Sequence, residues 1–297
     1  MTGNSLSHSN ELGELDDLKA RLQAHLQEVV RERDPYLATA GHFYVQQYIR
    51  QQFERWGAVE VHEFEVRGKR HQNLILNLPS SSGQTAAQKP PILIGAHYDA
   101  VPGSPGADDN ATGVAALLEL ARLLSAEPTK HPLRLVAFDL EEYGLLGSQG
   151  YADFLREQQQ SLRLMLSLEM LGYCTTAPGS QRYPTGLQYF YPNCGNFIAL
   201  VGNLPTLPDL IGLSRRIRQV GVPCQWLPAG QKGQLVPATR ASDHAPFWDR
   251  GYRALMVTDT AYLRNPHYHK ASDRLETLDL DFLTGVCRGL AQGIRYL

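Results

Sequence analysis

The chain has 297 residues, 43% hydrophobic and 20% charged, with 28 Lys and Arg against 30 Asp and Glu and a formal net charge of −2. That is enough chain for one large α/β domain, or two small ones, with an ample core, and nothing in so small a net charge suggests a nucleic-acid partner or an anionic membrane surface. Four cysteines, Cys174, Cys194, Cys224 and Cys287, stand far apart with no Cys-x-x-Cys, so nothing marks a disulfide framework or a cysteine zinc site.

The first residues, MTGNSLSHSNELGELDD, are polar and acidic, without the basic start and apolar core of a secretory signal. Residues 1–12 read as disordered. No apolar run has bilayer length, so the expectation is a cytoplasmic protein with no membrane partner. Leu15, Leu18, Leu22 and Leu26 share one side of a helix over Glu14 to Arg33, and a second helix covers Ala40 to Trp56 and stops at Gly57. Val59 to Val66 reads as a half-buried strand. Its two apolar pairs, Val59/Val61 and Phe64/Val66, fall out of step at His62-Glu63, which predicts a bulge. A turn at Gly68 and a strand over Asn73 to Leu78 complete an antiparallel edge, and SSSGQTAAQK, Ser80 to Lys89, reads as a flexible connector.

From Pro91 the rhythm becomes strand, helix, strand, helix. Apolar runs begin at Ile92, at Leu133 (to Leu140), at Leu162 (to Leu168), at Phe197 (to Val201) and at Ala254 (to Thr258). Helical patterns fall on Val114 to Leu124, Ser148 to Gln159, Asp209 to Gln219 and Leu280 to Ile294. Alternation of this kind predicts an α/β fold with a mixed, mostly parallel central sheet and helices on both faces. Two long irregular segments, Gly172 to Asn196 and Leu227 to Ala241, interrupt it, and the tyrosines of the first favour a pocket wall. No repeat or interior linker appears, so residues 13–297 read as a single domain.

Ligands of open α/β sheets gather at the carboxyl ends of the strands. The first strand exit gives His97 and the loop after it Asp109; the second gives Glu141 and Glu142, the third Glu169, and a late loop His267 and His269. Each has an ordinary reading: a solvated Glu-Glu turn, a salt-bridged Glu169, a surface histidine. Together at one rim they form the imidazole and carboxylate set a metal requires. There is no Gly-x-Ser-x-Gly elbow and no Gly-Lys-Ser/Thr phosphate loop.

The motifs AHYDAV at His97, PGADDNATG at Asp109, FDLEEYGLLGS at Glu141, SLEMLGY at Glu169, SDHAPFW at Ser242 and YHKASDRLETLD at Tyr268 follow one another from about residue 40 to the end. In order and spacing the chain resembles the co-catalytic di-zinc aminopeptidase family, which also includes glutamate carboxypeptidase II and the animal glutaminyl cyclases. The resemblance implies the zinc exopeptidase fold, a zinc-peptidase catalytic domain over residues 13–297, a peptide substrate and two zinc ions, with other divalent metals able to substitute. By it, Asp109 bridges the two ions, His97 and Glu169 complete one, and Glu142 and His269 complete the other. The Tyr268-His269 pair selects His269 over His267. Glu141 is implied as general base toward a metal-bridged water, and Asp99 as the acid that orients His97. The resemblance further implies a cis peptide bond after Asp109. The chain departs from the family at Glu169, where Asp is usual, and at Lys270-Ala271, where Thr-Pro is usual. The implied activity is aminopeptidase; a single-zinc glutaminyl cyclase, an acyltransferase, and a non-catalytic binding relative are the alternatives on the same scaffold.

Overall fold

The computed structural model describes residues 3–81 and 89–297, and of residues 3–12 the backbone alone. Helix α1 (Gly3–Val29) turns Leu18, Leu22 and Leu26 to the core, and α2 (Thr39–Glu54) does the same with Val45, Ile49 and Phe53. Steps of three and four residues keep such side chains on one helical face. Of the stretch read as disordered, Met1 and Thr2 lie outside the described residues and the backbone from Gly3 belongs to α1. Of the connector at Ser80 to Lys89, residues 82–88 lie outside the described residues.

Strands β1 (Val59–Val66) and β2 (Lys69–Leu78) form the antiparallel edge. The expected bulge is absent: pairing runs without a break from Val59 opposite Leu76 to Val66 opposite Lys69. Val61 instead faces outward, 37% exposed, and His62 takes the inward position against the rings of Tyr151 and Phe154 at 5.1 and 5.3 Å. An imidazole serves there as an apolar-facing ring, which an alternation of hydrophobic letters does not reveal.

The parallel centre follows in β3 (Ile92–His97), α3 (Gly113–Ala126), β4 (Leu133–Phe138), α4 (Leu146–Glu157) and β5 (Leu164–Glu169). It continues through β6 (Ile198–Asn203), α5 (Leu207–Gln219), β7 (Cys224–Ala229), α6 (His244–Asp249), β8 (Ala254–Thr258) and α7 (Leu280–Arg295). The eight strands make one sheet in the order β1-β2-β4-β3-β5-β8-β6-β7. The pairs β3–β4, β3–β5, β5–β8 and β6–β7 are parallel, and β1–β2, β2–β4 and β6–β8 antiparallel. The sheet is therefore mixed and mostly parallel, as expected.

Both faces are buried. Ile92, Ile94, Leu164 and Leu166 face α1, α2, α3, α5 and α7, while Leu93, Met165, Val136 and Met256 face α4 and α6. Successive strand residues point to opposite faces, so burial on both sides makes the central strands continuous apolar runs. Strand β7, which no apolar run announced, overlaps the start of the second irregular segment: Gln225, Trp226 and Leu227 are only half-buried, and Pro228 sits where an edge strand tolerates it. The parallel strands β3, β4, β5 and β8 share a direction, so the ends of β3, β4 and β5 bring His97, the turn carrying Glu141 and Glu142, and Glu169 to one rim. No described helix is long and apolar enough to cross a membrane.

Candidate metal centre

His97 closes β3 and is fully buried. Its Nε2 lies 3.3 Å from Asp109 Oδ1 and 3.7 Å from Glu169 Oε2. On the other side of Asp109, Oδ2 lies 3.1 Å from His269 Nε2, which is also 3.1 Å from Glu142 Oε2. Two half-sites result, His97 with Glu169 and His269 with Glu142, and each faces its own oxygen of Asp109. Glu141 offers a carboxylate oxygen within 4.8 Å of ligand atoms of His97 and Glu169. Asp99, fully buried, stands 3.3 Å from His97 Nδ1 and accepts the backbone N–H groups of Glu141 and Glu142 at 3.1 and 3.2 Å. One carboxylate thus ties the exit of β3 to the exit of β4. His267 is not gathered in: it contacts Ser272 Oγ at 3.0 Å and the ring of Tyr173.

Residues of this kind fit a metal on two counts. Both ring nitrogens of His97 and Oε1 of Glu142 are buried without an aligned hydrogen-bond partner, a rare condition for buried polar atoms and one a metal relieves. The acids also crowd one another. Burial raises the pKa of Glu141 well above the carboxylate range, with repulsion from Glu169 and Glu142 adding to it, and raises Glu142 to about 7, with Asp109 adding to it. Burial acts against the charge of Asp109 too, but hydrogen bonds from His269 and His97 outweigh it and hold that carboxyl below its usual value. Mixed imidazole and carboxylate donors suit zinc, and also manganese or cobalt.

Several supporting residues carry no signature in the sequence. Arg33, fully buried just after α1, donates to the carbonyls of Tyr98 (2.9 Å), Pro105 (2.6 Å), Gly106 (2.8 Å) and Asp109 (3.3 Å). Asp273 accepts the N–H groups of Asp108 (2.9 Å) and Asp109 (3.1 Å). Asp109 is therefore gripped by its own backbone, from Arg33 on one side and Asp273 on the other. Gly106 has φ +58°, and a Cβ there would stand 2.3 Å from the Asp109 carbonyl and 2.8 Å from Arg33 Nη2; only glycine fits. The Asp109–Asn110 peptide bond is cis, as the resemblance implied. Asn110 spans to β5, donating to the Leu168 carbonyl at 2.8 Å and accepting from the Met170 N–H at 3.1 Å. Ser242 donates to Glu169 Oε2 at 2.7 Å and contacts Ser167 Oγ at 2.8 Å, which anchors the longer arm of Glu169. Tyr268 stacks on His269, centroids 3.7 Å apart; burial and the site's four acids raise its pKa, so the phenol stays a neutral donor.

A cavity open on one side lies beside Glu169. Its walls include Tyr183, Tyr191, Phe197, Trp226, Leu227 and Met256, drawn from the first irregular segment, the residue before β6, and β7 and β8. The exposed lining is almost wholly apolar.

Residues 73–199 match the sequence profile of peptidase family M28. The uncharacterized protein YfbL of Escherichia coli K12 is 34% identical over 258 residues, which cover 82% of this chain and 77% of that protein. Aminopeptidase YwaD of Bacillus subtilis is 39% identical over 102 residues, 31% of this chain and only 22% of that protein. Among solved structures, the LapA aminopeptidase of Legionella pneumophila superposes with a TM-score of 0.71 over 97% of this chain and 75% of its own, at 22% identity, a likeness of fold alone. The profile spans β2 to β6, the strands whose exits carry most of the centre, and the alignment with YfbL extends the relationship over most of both chains: this chain belongs to peptidase family M28.

Proposed function

We propose that the protein is a zinc-dependent aminopeptidase that removes residues from the amino terminus of peptides, with residues 13–297 as its catalytic domain. The observation that carries this reading is Asp109, which offers one oxygen to the His97/Glu169 half-site and the other to the His269/Glu142 half-site. These five residues would hold two zinc ions. Zinc bound there supplies a Lewis acid for the scissile carbonyl and lowers the pKa of water toward neutrality.

The chain's own groups do the rest. Glu141, at the rim with its backbone N–H held by Asp99, takes the proton from the attacking water and passes it to the leaving amine. Asp99 keeps His97 in one orientation and fixes the turn that presents Glu141 and Glu142. The apolar cavity beside Glu169 accepts the side chain of the amino-terminal residue and excludes water from it. A single-zinc cyclase would require only one of the half-sites; the shared carboxylate favours two ions.

The test is metal analysis of the purified chain with a panel of aminoacyl-anilides and short peptides. Two zinc ions per chain, release of single amino acids and a block by acetylation of the substrate amine are expected. Cyclisation of an amino-terminal glutamine without hydrolysis, or internal cleavage, would overturn the assignment.

A further inference from the structure

A second acid with histidine partners stands directly before the turn that carries Glu141 and Glu142. Asp139 is fully buried at the exit of β4. Its Oδ1 accepts from His42 Nε2 at 2.7 Å and from the Leu140 N–H at 2.9 Å, and its Oδ2 contacts His71 Nδ1 at 3.1 Å. Its backbone is fixed too, N–H to Asn73 Oδ1 at 3.0 Å and carbonyl from the Gly147 N–H at 3.0 Å. The two histidines come from α2 and β2 and each takes a different oxygen. Among the described residues, the groups that could share one ion are those at the rim, so this cluster reads as a clamp on a carboxylate.

What the clamp controls is local. Leu140 has φ +55°, a left-handed conformation that a leucine does not favour, and Asp139 holds its N–H. The chain then passes into Glu141 and Glu142. The ring of His42 also packs at 5.1 Å on Tyr98, the residue between His97 and Asp99. One imidazole therefore touches two of the three strand exits that build the centre, those of β3 and β4.

An ionised carboxylate at zero exposure needs a compensating charge, and the groups around it narrow the source. From the segment before α2 come Asp34, which takes the Tyr143 hydroxyl at 2.6 Å, and Tyr36, whose hydroxyl meets His71 Nε2 at 3.3 Å. From β2 comes Lys69, turned over the Tyr36 ring at 4.9 Å, and Arg67 acts on Tyr36 from the β1–β2 turn. From the β3 exit come Asp99 and Tyr98, and burial keeps the phenols of Tyr98 and Tyr36 protonated. Burial works against the Asp139 charge, but hydrogen bonds from both His42 and His71 hold that carboxyl below its ordinary value, and His42 makes the shorter contact, 2.7 Å against 3.1 Å. Desolvation works against a proton on His42, but the hydrogen bond to Asp139 and the charges of Asp139, Asp99 and Asp34 outweigh it and raise the His42 pKa. Support from a raised histidine is complete at low pH and is lost as pH climbs through its folded value.

We propose that His42 is a positioning residue for the Glu141–Glu142 turn: its charge fixes Asp139 as a carboxylate, and Asp139 fixes the Leu140 backbone from which the turn departs. The turn is firm while His42 is protonated and loosens as pH rises. The consequence for activity rests on the aminopeptidase reading, but the consequence for the turn does not.

The test uses the full chain and His42→Gln, which keeps an N–H donor and cannot carry charge. Backbone amide resonances of Leu140, Glu141 and Glu142 are followed from pH 6 to pH 10 beside the His42 ring resonances. In the parent the three amides should shift with the His42 titration; in H42Q that step should vanish. With zinc bound, kcat/KM of H42Q should lie about tenfold below the parent at pH 7, mostly in kcat, and converge with it on the alkaline side. A second variant, Asp139→Asn, should bring the His42 titration back toward that of a free imidazole and likewise remove the step, so the comparison survives a failure of H42Q to fold. Turn amides that ignore the His42 titration, or that titrate alike in parent and H42Q, overturn the proposal. A parent chain inactive on every peptide overturns the functional reading instead, and the amide comparison still decides this one.

Discussion

Replacing Glu141 by Gln separates two roles that its position allows. The carboxylate stands within 4.8 Å of ligand atoms of His97 and Glu169, close enough to bind a metal itself. It is also free to face a substrate, since Asp99 holds its backbone and not its side chain. If it is the base, the amide keeps shape and volume and loses only the proton acceptor. General-base catalysis is worth roughly 10²–10⁴-fold, about 2.7–5.4 kcal/mol on the barrier at 1.36 kcal/mol per tenfold. Metal content should not change, because His97, Asp109 and Glu169 remain for one ion and Asp109, Glu142 and His269 for the other. The metal-free variant should be at least as heat-stable as the parent, since folding no longer has to suppress the ionisation of a desolvated carboxyl crowded by Glu169, Glu142 and Asp243. Zinc per chain, kcat and KM on a leucyl-anilide, and thermal melts with and without chelator check all three points. Two ions, KM within a few-fold and kcat down by about 10²-fold or more are expected. Loss of one ion would make Glu141 a ligand, and near-parental turnover would remove it from the mechanism altogether.

Chelation should abolish hydrolysis while far-UV circular dichroism stays close to that of the untreated chain, because the sheet has its own apolar core on both faces, and added zinc should restore activity; hydrolysis that survives verified metal removal would refute the metalloenzyme reading. Gly106→Ala should weaken zinc binding, since its Cβ would meet the Asp109 carbonyl at 2.3 Å and the left-handed φ of +58° adds about 1–2 kcal/mol of strain; an unchanged zinc affinity by chelator competition would show that the loop relaxes freely. Met256→Asp, in the wall of the apolar cavity, should cut kcat/KM on leucyl- and phenylalanyl-anilides far more than on alanyl-anilide; an equal loss on all three would move the side-chain pocket elsewhere.

The parts of the fold that could be read from the chain are those whose burial follows a simple period. Leu18, Leu22 and Leu26 on α1 and the continuous apolar runs of β3, β4 and β5 state their surroundings in residue types alone. Where a polar ring does an apolar job, as His62 does in β1, the letters point to a bulge that the pairing does not contain. Where a strand is at the sheet edge and half-buried, as β7 is, no period shows. The centre divides in the same way. His97, Asp109, Glu141, Glu142, Glu169 and His269 sit at strand exits or in motifs with fixed spacing, and the fold brings them to one rim. Arg33 lies more than 70 residues from Asp109 in sequence, with no spacing to connect it to the loop whose carbonyls it holds. Asp273 and Ser242 lay inside quoted motifs, but which backbone or side chain each would meet depends on how distant segments pack.

The same geometry sets a competition between protons and metal. In the chain by itself the positive charges facing the carboxylate oxygens of Asp109 are imidazolium protons, with Arg33 at its carbonyl. Burial opposes the one on His269, but hydrogen bonds with Asp109 and Glu142 overcome it and lift its pKa to about 10, and His97 is likewise raised well above an ordinary imidazole. Glu142, with a pKa lifted to about 7 by burial, is itself partly protonated near neutrality. A metal ligand must be a neutral imidazole or a free carboxylate, so zinc can enter only as these protons leave. Zinc binding at pH 7 should therefore release about two protons per chain or more, and the apparent affinity should climb with pH until the imidazoles are neutral without help. Calorimetric titration of the chelated chain with zinc, run in two buffers of different ionisation enthalpy, gives the proton count directly. His269→Ala should remove about one of those protons together with one half-site. Binding of zinc with no proton release at pH 7 would mean that His97 and His269 are already neutral, and that the close contacts to Asp109 are not the charged pairs described above.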